Sequence, residues 1–185
     1  MRLELRNSLD SLNRGKTILY PTDTVWGIGC DATDIDAVSK VYSIKNRQES
    51  KSVIILVSSI HMLKKHVSVS KQVLAFLNTT VKPTTVIYKN PKGIAKNIIG
   101  TDNTVAIRIV QDDFCRKLIK KLGRPIVSTS ANVSGDFTPS SFDKIQKSIL
   151  ESVDYVVNLH HKKVNTEPSS IIKIEEDGSI HIIRN

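Results

Sequence analysis

The 185-residue sequence predicts an α/β fold, one domain over residues 1–185 with a mixed, twisted sheet and helices packed on it. Three observations predict it. Helical and extended segments alternate along the chain, without the strict strand–helix–strand regularity of an all-parallel sheet. Ser52-Val-Ile-Ile-Leu-Val57 is a continuous β-branched apolar run of strand length, expected mid-sheet with both faces covered. Two further apolar runs, 171–174 and 180–183, flank Asp177-Gly178, the signal of a tight hairpin.

The elements follow in order. Leu5, Leu9 and Leu12 share a helical face and Gly15 supplies a stop, which predicts a first helix. Thr17 to Tyr20 reads as a short strand ended by Pro21, and Val25 to Cys30 as a second extended piece. With Thr33 or Asp34 as N-cap, Val38, Val41 and Tyr42 mark a helix running towards Ile44. After the apolar run come helical stretches at 60–66 and 71–79 and strands at 84–88 and 104–109. Asp112 or Asp113 caps a basic helix that stops at Gly123 before Pro125, and Ile126-Val127 then leads into a polar loop. A last helix is expected around 141–150 and a strand at 153–157.

Hydrophobic residues are 39% and charged residues 24%, which excludes a disordered chain. The N-terminal segment is too charged for a signal peptide and no stretch is long enough to cross a bilayer, so a cytoplasmic protein with no membrane partner is expected. Cys30 and Cys115 lack the spacing of a disulfide framework or a zinc site and are assigned to the core. His61, His66, His160 and His161 likewise show no metal-ligand spacing, and no protein metal site is expected. Lys+Arg is 27 against Asp+Glu 18, a formal charge of +9 that favours nucleotide or RNA partners.

The first chemical candidate is Tyr20-Pro-Thr-Asp-Thr-Val-Trp-Gly-Ile-Gly29. In an extended chain the hydroxyls of Thr22 and Thr24 point the same way, and Gly27 and Gly29 admit a ligand or another backbone. Read alone, the segment is also compatible with an edge strand and an ordinary turn. A dinucleotide-binding reading of Gly27 to Ala32 fails, because Asp31 would place a negative charge where a pyrophosphate rests. No Walker-type loop is present, so any nucleotide is held differently.

Lys45, Arg47 and Lys51 form the second candidate, closely spaced cations suited to a polyphosphate or, equally, to the negative end of a helix. Ser128-Thr-Ser-Ala-Asn132 with Ser134-Gly135 is the third, a set of short donors and acceptors after a strand that suits a ribose, phosphate or amino acid. Arg108 interrupts an apolar strand. Its partner is a substrate carboxylate, a structural Asp or Glu, or solvent.

Together these segments resemble the YrdC/Sua5 family of threonylcarbamoyl-AMP synthases across essentially the whole chain. The resemblance rests on YPTDTVWGIGCDA at 20–32, KNR at 45–47 with Lys51, VAIRI at 105–109, PIVSTSANVSG at 125–135 and PSSII at 168–172, in the family's order. It implies an open, twisted sheet with a basic cleft, in the short, single-domain form. Thr24 would seat L-threonine, Arg108 would bind its carboxylate, and Ser128 with Ser169 or Ser170 would line the same pocket. Lys45, Arg47, Lys51, Ser130 and Asn132 would hold ATP, with Thr104 and Thr138 nearby, and Lys45 and Arg47 would serve catalysis. Two departures from the family pattern are Leu56, where some members carry a histidine, and Val81-Lys82-Pro83, where Pro-Gly-Pro is common.

The implied reaction joins L-threonine, bicarbonate or CO2, and ATP into threonylcarbamoyl-AMP and pyrophosphate. Magnesium would accompany ATP through its phosphates and water. The implied consumer is a downstream threonylcarbamoyl transferase acting on tRNA, and tRNA or double-stranded RNA is a further expected partner. A non-catalytic RNA-binding module and a carbamoyl-transfer domain with another acceptor are the competing readings.

Overall fold

The structure is a computed structural model that describes residues 1–48, 53–164, 167–175, 177 and 179–185. Its elements are α1 (Arg2–Asn13), β1 (Ile18–Tyr20), β2 (Gly27–Gly29), α2 (Ile35–Ile44), β3 (Ile54–Val57), α3 (Ile60–His66), α4 (Lys71–Thr79), β4 (Thr84–Lys89), β5 (Thr104–Ile109), α5 (Asp113–Leu122), β6 (Ile126–Ser130), α6 (Lys147–Ser152), β7 (Tyr155–Val156), β8 (Ser170–Ile174) and β9 (Ile180–Arg184). The helix starts follow the expected caps. Asp34 accepts from the amides of Asp36 and Ala37, and Asp112 accepts from Cys115 N at 3.0 Å. Gly123 closes α5 at φ 74°, a left-handed conformation that a side chain would strain.

Among the described residues the strands form one mixed sheet, ordered β7-β1-β2-β6-β3-β5-β4-β8-β9. β3 lies at its middle, parallel to β5 and antiparallel to β6, as its unbroken apolar run predicts. Side chains paired across neighbouring strands share a face, so the register divides the sheet in two. Ile55, Ile107, Val127 and Val86 point to one side and are 0–2% exposed, under α3 and α5 with α1 packed on α5. Ile54, Ser128, Arg108 and Thr85 point to the other.

The apolar face of α5, made by Phe114, Cys115, Leu118, Ile119 and Leu122, turns inward, and Arg116, Lys117, Lys120 and Lys121 turn out. Both cysteines are buried, as expected, and burial pushes both thiols up. β8 and β9 pair antiparallel as the hairpin signal predicts; Asp177 accepts from Ser179 N, while Gly178 lies outside the described residues. Ser52, the first residue of the expected central strand, also lies outside them, and β3 itself starts at Ile54.

Two local expectations change. The helix expected around 141–150 splits into a 3-10 turn at Phe142–Lys144 and α6, because Ile145 and Gln146 take extended backbone angles. That break lets Phe142 pack on Trp26 while Ile145 enters the core. The expected strand at 153–157 shortens to β7, since Val153 ends α6 and the Asp154 carboxylate accepts from both the amide and the hydroxyl of Thr17.

Candidate active site

The floor of a cleft of about 220 Å³ is built on β6. Ser128 and Ser130 were expected in a polar loop, but both lie in the strand, where Ser128 pairs with Ile54 and Ser130 with Gly27. Two residues apart on a strand, they present hydroxyls to one face on a rigid support. Gly27 faces them closely, since a Cβ there would meet Ser128 Oγ at 3.1 Å. At Gly29 the approach is tighter: a Cβ would overlap the Val127 carbonyl, to which buried Tyr20 donates its hydroxyl at 3.0 Å.

Residues 23–25 bend, and of the extended piece expected at Val25 to Cys30 the strand β2 takes Gly27–Gly29, yet Thr22 and Thr24 meet, their hydroxyls 3.0 Å apart. Thr22 Oγ1 donates to Val25 O, and the bend brings Thr24 Oγ1 to Arg108, whose Nη1 donates to it at 3.0 Å. Arg108 is buried. Its Nη2 lies 3.3 Å from Asp23 Oδ1, so of the partners considered for this arginine the structure supplies a carboxylate from within the chain.

Lys45 is almost fully enclosed and donates from Nζ to the carbonyls of Ser130 at 2.5 Å and Asn132 at 2.6 Å. Its own carbonyl accepts from Ser134 N at 2.8 Å, so the end of α2 and the segment after β6 are laced together. Burial first and the charge of Arg47 second push the Lys45 ammonium down to about 8. Asn132 donates to the carbonyls of Val133 and Asp136, and its Oδ1 is buried without a hydrogen-bond partner. Lys45 and Asn132 therefore shape the wall behind the cleft, whereas Arg47, Ser130 and Thr138 line it.

The opposite wall comes from β8 and β9. Ser169 is buried, shares a hydrogen bond with Thr85 Oγ1 at 2.8 Å, and through its carbonyl accepts from Arg184 Nη2 at 2.7 Å. Ser170 instead lines an adjoining hollow of about 620 Å³, together with Asp23, Thr24, Lys82 and Glu167. Thr24 and Pro168 border both hollows. Thr104 shares a sheet face with Arg108 but lies at the far end of β5, bonded to Asp102, and does not line the cleft. Lys51 lies outside the described residues.

Leu56, the departure in the central strand, is fully buried directly opposite Arg108, and Lys82-Pro83 borders the larger hollow. Thus both departures sit beside the site. Sequence reasoning passed over Arg184, which lines the cleft and is pushed below its ordinary value by burial and then by Arg108. A charged residue within Ile180-His-Ile-Ile-Arg184 is the same signal that drew notice to Arg108. Asp23 was also passed over inside its motif. Trp26 completes the wall, tilted against both Phe142 and His161, whose rings stack 3.8 Å apart.

With Arg47, Arg108 and Arg184 lining one small cleft on the open side of a mixed sheet, the fold and site define an α/β protein suited to a small anionic ligand. A family model described as telomere recombination, covering Sua5, YciO and YrdC, matches residues 10–185, and the chain belongs to that family. A Methanocaldococcus jannaschii protein, provisionally named threonylcarbamoyl-AMP synthase, is 36% identical over 91% of this chain and 79% of its own length. The threonylcarbamoyl-AMP synthase of Pseudoalteromonas translucida is 30% identical over 89% of each chain. Among solved structures, P. abyssi Sua5 complexed with L-threonine superposes on the whole chain with a TM-score of 0.87 at 23% identity. This chain spans 54% of that protein's length.

Proposed function

We propose that this chain is a threonylcarbamoyl-AMP synthase. It joins L-threonine, bicarbonate or CO2, and ATP into threonylcarbamoyl-AMP, releasing pyrophosphate. The observation that carries the reading is the gathering of Thr24, Arg108, Ser128 and Ser169 beside Arg47, Ser130 and Thr138 in one cleft. Hydroxyls and a buried guanidinium suit a small hydroxy amino acid, and the Arg47 side suits a polyphosphate. The family membership and the names of its relatives support the same assignment.

In this reading the threonine ammonium first gives up a proton to water, the free amine attacks CO2 and loses a second proton to water to form a carbamate, and a carbamate oxygen attacks the α-phosphorus of ATP as pyrophosphate leaves. The protein forms no covalent bond to substrate. Arg108 orients the amino acid through its carboxylate, Arg47 lowers the energy of charge developing on the phosphates, and Arg184 holds Ser169 through its carbonyl. Lys45 holds the Ser130 and Asn132 carbonyls in place rather than reaching the phosphates, because two of its N–H groups are already committed. The lining is rich in arginines and hydroxyls, and no cluster of three metal-ligating side chains occurs among the described residues; such a donor set suits magnesium that arrives on the phosphates of ATP.

The carbamate and the mixed anhydride both react with water, so the product belongs with a transferase that takes it promptly to tRNA, in the cytoplasm where ATP and tRNA meet. The net charge of +9 favours a direct approach of tRNA or other folded RNA. A pyrophosphate-release assay tests the activity. Full signal is expected with all substrates, and only background when threonine, bicarbonate or ATP is left out; release that persists without threonine contradicts the assignment.

A further inference from the structure

The Arg108–Asp23 pair is unusual in what it leaves unused. Both side chains are at least nine-tenths buried, yet the Nη2 to Oδ1 distance of 3.3 Å is longer than a well-formed charge-assisted hydrogen bond. Arg108 Nε is buried without a partner, and so is Asp23 Oδ1 apart from that long contact. Elsewhere on the pair, Nη1 bonds Thr24 Oγ1, and Oδ2 accepts from Gln111 N at 2.9 Å. A buried cation and a buried anion, each with an atom left without a hydrogen bond, therefore lie side by side.

Their place in the fold gives this meaning. Arg108 lines the cleft of about 220 Å³, Asp23 lines the hollow of about 620 Å³, and Thr24 borders both, so the pair stands at the junction of the two spaces. With Arg108 as the carboxylate site of the proposed function, we propose that Asp23 takes the ammonium group of a free α-amino acid, so that the pair receives a zwitterion. The two charged groups of such a ligand sit on one carbon and match a cation and an anion already held in contact. On binding, the long Arg108–Asp23 contact opens and two charge-assisted bonds replace it. Among the described residues Glu167 is the other side-chain carboxylate bordering the larger hollow, but it is exposed, where an ammonium group gains less.

The inference rests on the proposed reading that L-threonine is a substrate, and assigns Asp23 as the residue that distinguishes a free amino acid from the corresponding hydroxy acid. Titration calorimetry tests it with L-threonine and with 3-hydroxybutyrate, which keeps the carboxylate and hydroxyl but lacks the amine. The unmodified protein is expected to prefer L-threonine by about 30-fold, the worth of one charge-assisted hydrogen bond. Asp23→Asn is expected to bring the two ligands to within about 3-fold of each other, whatever common change it makes in the affinity of both through Arg108. A protein that binds both ligands equally before any substitution overturns the inference, even if the variant fails to fold. An Asp23→Asn variant that folds and keeps the full preference overturns it as well. If the unmodified protein binds no L-threonine at all, the functional reading itself falls, an outcome distinct from both.

Discussion

The ammonium of Lys45 donates to the carbonyl of Asn132 at 2.6 Å, fastening the end of α2 to the segment that follows β6. Burial lowers the folded value of this group to about 8 from an ordinary 10.5. Between those values the folded molecule sheds a proton that the unfolded chain keeps, so stability rises with pH across that window. Below it both states are protonated, and the cost of burying the charge stands against its two short hydrogen bonds. Relative to Lys45→Met, the parent protein should gain on the order of 2 kcal/mol between about pH 7 and about pH 9.5. Denaturant melts at the two pH values measure it, and a constant difference means the carbonyls keep the ammonium charged.

Arg47 lines the cleft from the turn after α2, where it is only partly buried. Arg47→Ala should lower turnover by about 100- to 1000-fold, the usual loss when a group stabilising developing charge is removed. The melting temperature should shift little. Pyrophosphate release at the parent rate would remove Arg47 from the mechanism.

Removing one member of a buried ion pair strands the other. Arg108→Met should therefore cost about 3 kcal/mol of stability through the uncompensated Asp23 carboxylate. Adding Asp23→Asn should recover at least about 1 kcal/mol, the mark of two coupled sites. Strict additivity in the double-mutant cycle would show that the two side chains do not interact.

At Gly29 the backbone conformation is ordinary and space is the constraint. A methyl group there overlaps the Val127 carbonyl and comes within 2.8 Å of Tyr20 Cε1, so β1, β2 and β6 must part to accept it. Gly29→Ala should destabilise by about 3 kcal/mol, the upper end for an overpacked core. Gly123→Ala, at a left-handed helix end with nothing nearby, should cost about 1 kcal/mol through strain alone.

Periodicity made most of the fold legible. The spans of α3 and α4, the caps of α2 and α5 and the central place of β3 follow from local patterns whose physical causes lie within a few residues. The 141–150 region did not, because extended angles at Ile145 and Gln146 break its helix, and the packing that goes with the break, Phe142 on Trp26 and His161, is distant in sequence. β6 ran past its apolar residues for a similar reason. Ser128 to Ser130 read as a loop by composition, and their strand is imposed by partners on β2 and β3.

The site was legible where residues sit in motifs and illegible where pairing decides. Thr24, Arg108, Ser128 and Ser169 line one cleft and Ser170 does not, while Lys45 turns inward to two carbonyls that no local pattern announces. Asp23 was hidden because its role depends on a strand 85 positions later. Arg184 was hidden because β9 reaches the cleft only through its pairing with β8.

A crystal structure with L-threonine and a non-hydrolysable ATP analogue bound together decides whether one cleft holds both substrates. The amino acid is expected between Arg108 and Ser128, with the α-phosphate beside it on the Arg47 side of the same cleft. Two ligands on separate surfaces, too far apart to react, would contradict that arrangement.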